Sequence, residues 1–174
     1  MTYLPHPLAM RKTRYVALLV LSIAHCNIHA DDLLDRLELA TEQIGAKQGA
    51  FYLSRIPSLA DKMPDWNWDD EIREASSCVL TGIEKAKGRR VAQAYVSGLE
   101  KDAIQTYDSV GKLSDQSNTP KELLGSDQTI SNLLQACKMI DISAARLKES
   151  GMWDELLKPE VMAKLVEEQQ LTDF

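Results

Sequence analysis

The sequence predicts an all-α fold: a single-domain orthogonal or up-down bundle of about five helices, stabilised by one disulfide and preceded by an export signal. Three observations carry this. Apolar residues return at three- and four-residue steps through most segments after residue 31, and no comparable run alternates as an exposed strand does. Leu, Ala, Glu and Lys are plentiful while aromatic residues make up 6% of the chain, a balance that favours helix over sheet. Two cysteines, Cys78 and Cys137, remain once residues 1–30 are set aside, and an oxidising compartment pairs them by default.

Residues 1–30 read as a signal peptide and 31–174 as the exported domain. Arg11, Lys12 and Arg14 supply a positive region, Tyr15 to Ala24 an apolar stretch of ten residues, and Ala30 a small residue before the expected cut. The stretch is too short to span a bilayer, which takes about 20 residues, so no stable transmembrane segment is expected after cleavage. Met10 is an alternative start, because residues 1–9 add no part of the signal. His25 is too bulky for the small-residue pattern that precedes a lipid-modified cysteine, which disfavours lipidation of Cys26. The expected location is the bacterial periplasm or the extracellular space. Three of the 20 basic residues and none of the 26 acidic ones precede Asp31, so the mature chain carries 17 against 26, a net charge of −9. At 144 residues it is long enough to bury one sizeable core.

The first helix is expected to begin near Asp31 or Asp32, whose carboxylates suit exposed helix-start amides. Leu33, Leu37, Ala40 and Ile44 share one stripe, and Phe51, Tyr52 and Ile56 extend it toward Pro57, with a curve or break near Gly45 and Gly49. Residues 57–68, rich in proline and carrying Trp66 and Trp68, read as a connection. Asn67 is the expected cap of a second helix whose buried side is Ile72, Ala75, Val79 and Ile83, with Cys78 beside the stripe. Gly88 separates it from a third helix over roughly 89–110, packed through Val91, Tyr95, Leu99, Ala103, Tyr107 and Val110. Residues 111–119 lose the periodicity. Thr119, Pro120 and Glu122 offer a cap, a first-turn proline and a reciprocal glutamate, starting a short turn that ends near Gly125. A continuous helix from Asp127 to Glu149 should follow, facing Ile130, Leu133, Leu134, Cys137, Ile140, Ala144 and Leu147 inward. Gly151 stops it. Trp153, Leu156 and Leu157 then cluster before Pro159, and Val161, Met162, Leu165 and Val166 mark a terminal helix.

The chemistry is bounded by what the mature chain lacks. His6, His25 and His29 all precede Asp31, so no imidazole remains to serve a Ser-His-Asp or Cys-His arrangement or a His-x-x-x-His zinc element. No phosphate loop, dinucleotide fingerprint or haem motif occurs. No enzyme activity, metal or cofactor is expected. The net negative charge disfavours a phosphate backbone as partner, and the basic run Lys85, Lys87, Arg89, Arg90 suits a helix C-terminus. Paired carboxylates could still hydrolyse a glycoside without histidine, but helix capping accounts for Asp61, Asp65, Asp69, Asp70 and Glu71 more simply.

The expected function is therefore interaction with another envelope or secreted protein. Tyr52, Trp66 and Trp68 are the aromatic candidates, since such side chains supply central contact area, and Asp65, Asp69 and Asp70 beside them would steer a basic partner. A weaker surface combines Asp108, Asp115 and Glu122 with the polar loop 111–119. In size, expected export, acidity and one cysteine pair, the chain resembles small exported helical immunity proteins that neutralise envelope-targeting toxins. That resemblance implies an inhibitor acting on a partner's cleft and assigns no site residue. The alternative is an accessory subunit of an envelope complex. Helical patterning is equally compatible with a homo-oligomer, and carriage of a lipid or small molecule would need a cavity that periodicity does not reveal.

Overall fold

A computed structural model of the chain describes the backbone of residues 13–113, 117–124 and 128–170, with side chains described over 32–109, 111–113, 117–124 and 128–167. Met10, Arg11 and Lys12 of the expected leader, together with Asp115, Gly125 and Asp127, lie outside these residues. Contacts divide the chain into two compact units, Met1–Leu33 and Leu34–Phe174. Among the described residues there is no strand, and no helix is long and apolar enough to cross a membrane.

The fold is an all-α bundle with a disulfide, but it is more finely divided than five helices. Eight α-helices and two 3-10 turns occur among the described residues: α1 (Thr13–Arg55), a turn (Pro57–Lys62), α2 (Asp70–Lys87), α3 (Arg89–Ile104), α4 (Val110–Leu113), a turn (Lys121–Leu123), α5 (Thr129–Ala136), α6 (Met139–Glu149), α7 (Met152–Leu156) and α8 (Pro159–Gln170). The first correction is at α1, which does not start at Asp31 but runs unbroken from Thr13 and through both glycines. Gly45 and Gly49 lie one turn apart and receive side chains: a Cβ at Gly45 would sit 3.7 Å from Trp66 Cβ, and one at Gly49 3.2 Å from Met63 Cε. Those glycines cost helix propensity and return room for the connection to pack.

The α2 cap lies two residues later than expected. Asp69, not Asn67, accepts from the Ile72 amide at 3.0 Å, and Asp70 and Glu71 occupy the first turn. An acidic first turn is favoured by the exposed amides there. Gly88 ends α2 with φ of +88°, a conformation that costs a glycine little. The third helix stops at Ile104 rather than residue 110, leaving Tyr107 beyond its end and Ile104 79% exposed.

The largest departure lies in the predicted helix 127–149, which is two helices. Cys137 ends α5, Lys138 adopts φ of +62°, and α6 starts afresh at Met139. A left-handed residue resets the helical phase, so the inward face after it is not the continuation of the one before. Ile142 is buried in place of Ile140, which is half exposed, and Ala144 is exposed as well. Likewise Pro120 stands outside its turn instead of at a first helical position, and Thr119 makes no capping bond.

Cys78 on α2 and Cys137 at the end of α5 are joined by a disulfide, with Cα atoms 5.7 Å apart. One turn along each helix, Leu133 packs so tightly on Gly82 that a Cβ there would collide with it. The bridge and this notch together set the α2–α5 crossing. The largest fully buried side chains are Ile56, Leu59, Ile83, Val96 and Leu123. Ile56 and Leu59 join Met152 and Val161 in one core cluster, Ile72, Ala75 and Ile142 form another, and both border the connection that carries the tryptophans.

Burial also takes in an acid that helical patterning places on the surface. Glu155 is 2% exposed and pairs with Lys62 and, at 2.9 Å, Lys158. The hydrogen bond from Lys62, then those from Lys158 and Ser58, pull its carboxyl from 4.5 to about 2. A carboxyl lowered on folding stabilises above its unfolded value and loses that effect as pH falls through its folded one. The native chain should therefore exceed Glu155→Gln in stability most above pH 4.5, with the gap closing by about pH 2. Urea unfolding at a series of pH values checks this, and a gap independent of pH would exclude ionisation as its source.

Candidate functional site

The connection between the first 3-10 turn and α2 folds back against α1, and the position of each tryptophan has a local cause. Trp66 lies on the Gly45 notch. Trp68 donates its indole N–H to Thr41 Oγ1 at 3.0 Å, which satisfies the one polar atom of a ring that is otherwise packed. Thr41 in turn donates to the Leu37 carbonyl at 2.9 Å.

From the opposite side, Arg146 on α6 ties the connection down. Its guanidinium donates to the Asp65 carbonyl at 2.8 Å and the Asn67 carbonyl at 3.2 Å, and pairs with the Asp69 carboxylate. The Arg146 side chain is only 16% exposed. Asp65 additionally accepts from the Asn67 amide at 2.9 Å. The Ile72 amide, and after it the Arg146 guanidinium, hold the Asp69 carboxyl below the usual range. Two of the three acids singled out in the sequence, Asp65 and Asp69, thus build the connection, and Asp70 is an exposed first-turn residue of α2.

Behind this strap lies a cavity of about 450 Å³, partly open to solvent. Its wall is mainly apolar: Ile44 and Gly45 of α1, Met63, Trp66 and Trp68 of the connection, Ile72 of α2, Leu99 of α3, Met139, Ile142 and Leu147 of α6, and Met152 and Leu156 at α7. Tyr52, Gln48 and Ser76 are polar residues in the same wall. None of these three makes a side-chain hydrogen bond to another described residue. Burial raises the Tyr52 phenol above its ordinary value. The structure therefore brings Tyr52, Trp66 and Trp68 together, as half-buried walls of a chamber and not as projecting knobs. Asp65, Asp69 and Arg146 do not line it but a separate groove on the other side of Trp68 and Ile142, and Asp70 lines neither.

Sequence reasoning missed Gln48, Ser76, Ile142 and Arg146. The one available signal was the Gly45 and Gly49 pair, whose spacing puts two absent side chains on one helix face. Among the described residues, no group of three or more His, Cys, Asp or Glu side chains is arranged to hold a metal. The basic run is partly neutralised, Arg89 by Glu84 at 3.4 Å and Arg90 by Glu122 at 3.8 Å.

Arg146→Ala should release the strap without unfolding the bundle. The expected result is faster amide exchange over residues 65–69 and tryptophan emission shifted toward that of solvated indole. Exchange equal to that of the native chain would mean that the Trp68–Thr41 bond alone secures the segment.

The fold and site define a helical bundle with a chamber under a tryptophan-bearing strap. No protein-family model matches the chain, and neither a curated protein nor a solved structure matches it.

Proposed function

We propose that this chain is a non-enzymatic binding protein of the bacterial envelope that accommodates a small, largely apolar molecule in the chamber beneath Trp66 and Trp68. The chamber itself carries the reading. Protein interiors seldom contain voids larger than a water molecule, whereas about 450 Å³ falls among ligand pockets, which are apolar surfaces with a few convergent polar groups. Gln48, Tyr52 and Ser76 supply such groups. Among the described residues, Asp69, Glu100 and Glu155 are carboxyls lowered by structural partners, Glu100 by its bond from Arg36. Export is supported by the leader pattern in residues 10–30 and by the disulfide, which persists in oxidising compartments.

Titration with the apolar fluorophore N-phenylnaphthylamine tests the reading. It should bind one molecule per chain with transfer of excitation from the tryptophans, and Ser76→Leu, which fills the chamber from a residue only 4% exposed, should abolish binding while leaving helix content unchanged. Absence of saturable binding to the native chain would sink the proposal. A mass measurement on protein recovered from the producing cell tests processing, with Asp31 as the expected first residue.

A second reading, interaction with an envelope or secreted protein as an inhibitor, immunity protein or assembly subunit, is favoured by a different surface from the one expected. Trp153 and Leu157, one turn apart, are 48% and 60% exposed, and Met162 and Val166 repeat the spacing on α8 at 44% and 47%. Exposed apolar groupings of this kind mark interaction sites. Affinity capture from an envelope extract that is lost on changing Trp153 and Leu157 to Ser, and unaffected by Ser76→Leu, would favour this reading over the first.

A further inference from the structure

The chamber beneath the tryptophans is polar only through groups that carry no charge. No aspartate, glutamate, lysine or arginine is among the described residues that line it. Glu155, next to the lining residue Leu156, is already occupied by Lys62 and, at 2.9 Å, by Lys158. What the wall offers instead is unused hydrogen-bonding capacity. Thr41 and Ser143, two hydroxyls of the same wall, return to helix carbonyls one turn back, each at 2.9 Å. Ser76 on α2 does not. It is 4% exposed and its hydroxyl bonds no described group. Among the described side chains no unpartnered polar atom is sealed away from solvent, so this hydroxyl opens onto the chamber it lines. Gln48 and Tyr52 stand one turn apart on α1, again with side chains that bond no described group, and residues at that spacing are neighbours on one helix face.

Resting on the reading above, we infer that the chamber selects uncharged molecules bearing a neutral oxygen function, a hydroxyl or a carbonyl, and rejects carboxylates and ammonium ions. Moving an ion from water into an apolar space costs far more than moving a neutral polar group, unless an opposite charge meets it there. The described wall supplies no such charge, so an ionic ligand loses its hydration and gains nothing equivalent. A neutral oxygen fares differently. Hydroxyl and carboxamide groups both donate and accept, so Ser76, Gln48 and Tyr52 can donate to a carbonyl and can either donate to or accept from an alcohol. Burial raises the Tyr52 phenol above its ordinary value, which keeps it protonated. A ligand without any polar atom would strip water from these groups and leave them unpaired, at a cost. The α1 share of the wall is Thr41, Ile44, Gly45, Gln48, Gly49 and Tyr52, a stripe of about 16 Å by the helical rise, which an extended alkyl chain can follow.

The test is displacement of N-phenylnaphthylamine from the full chain at neutral pH, with every competitor kept below its micelle concentration. Decan-1-ol, decanoate and protonated decylamine share one alkyl length and differ in the charge of the head. The alcohol should displace the fluorophore, and the two ions should need at least about a hundredfold higher concentration to do so. The combined variant Ser76→Ala, Gln48→Leu and Tyr52→Phe should bind the alcohol at least about tenfold more weakly and still bind the fluorophore, which shows that it is folded. The comparison of head charges needs no variant and decides the matter even where the combined variant does not fold. If either ion displaces the fluorophore as well as the alcohol does, if the alcohol fails to displace it, or if the folded variant binds the alcohol as the native chain does, this inference is overturned and the apolar site stands. If the fluorophore shows no saturable binding to the native chain, the reading of the chamber falls and this inference falls with it.

Discussion

Changing Cys78 and Cys137 together to serine is expected to lower the free energy of unfolding by about 4 kcal/mol. The bridge spans 59 residues of sequence, and closing a loop of that length restricts the unfolded chain by about this amount in the chain-entropy description. Domains of this size are stable by only about 5–15 kcal/mol in total, so the effect is a large fraction of the whole. The loop contains α3, α4 and the turn at Lys121–Leu123. At the crossing itself, the Gly82–Leu133 contact keeps the helices in register, so the reduced chain should remain helical and lose stability. Urea unfolding of the double variant beside the native chain measures this. A change within about 0.5 kcal/mol, the size of an ordinary surface substitution, would show that packing alone sets the α2–α5 crossing.

Leu59→Ala is expected to cost about 2–5 kcal/mol, the range for a fully buried leucine reduced to alanine. Leu59 is 0% exposed and packs with Ile56, Met152 and Val161, while Tyr52, Met63 and Leu156 border the same cluster. Those three border residues also line the apolar chamber. The substitution should therefore weaken fluorophore binding as well as stability, because the turn at Pro57–Lys62 is the root from which the tryptophan strap departs. Leu157→Ala, at a position 60% exposed, is the control and should change stability by less than about 0.5 kcal/mol. Equal effects at the two positions would contradict the placement of the core.

Much of the local structure could be read directly. The stripes through Leu37 and Ala40, through Ile72, Ala75, Val79 and Ile83, and at Val91 and Ala103 are buried, because a 3.6-residue period alone decides which side chains share a face. Gly88 and Gly151 both take positive φ at helix boundaries. The connection over 57–68 was also legible from its prolines, although its opening residues form a turn and its Leu59 is among the most enclosed side chains.

The candidate site was legible only in its aromatic members. Trp66 and Trp68 were visible, but their direction was not, because it depends on a notch at Gly45 and a hydroxyl at Thr41, more than twenty residues earlier in the chain. Trp153, assigned to an apolar cluster by its neighbours, is 48% exposed, while Met152 beside it is buried. Lys138 carries no local mark of a left-handed residue, so the helix break and the exchange of Ile140 for Ile142 could not be seen in a continuous pattern.

What the sequence by itself determined is therefore helix type, most of the stripes through α3 and the pair of cysteines, since each follows from interactions over one or two turns or from simple scarcity. The tertiary structure alone decided where helices break, which acids become structural, and where space is left unfilled. Cavities, latches such as Arg146, and buried ions such as Glu155 arise from groups distant in sequence competing for the same volume, and no local period encodes the outcome.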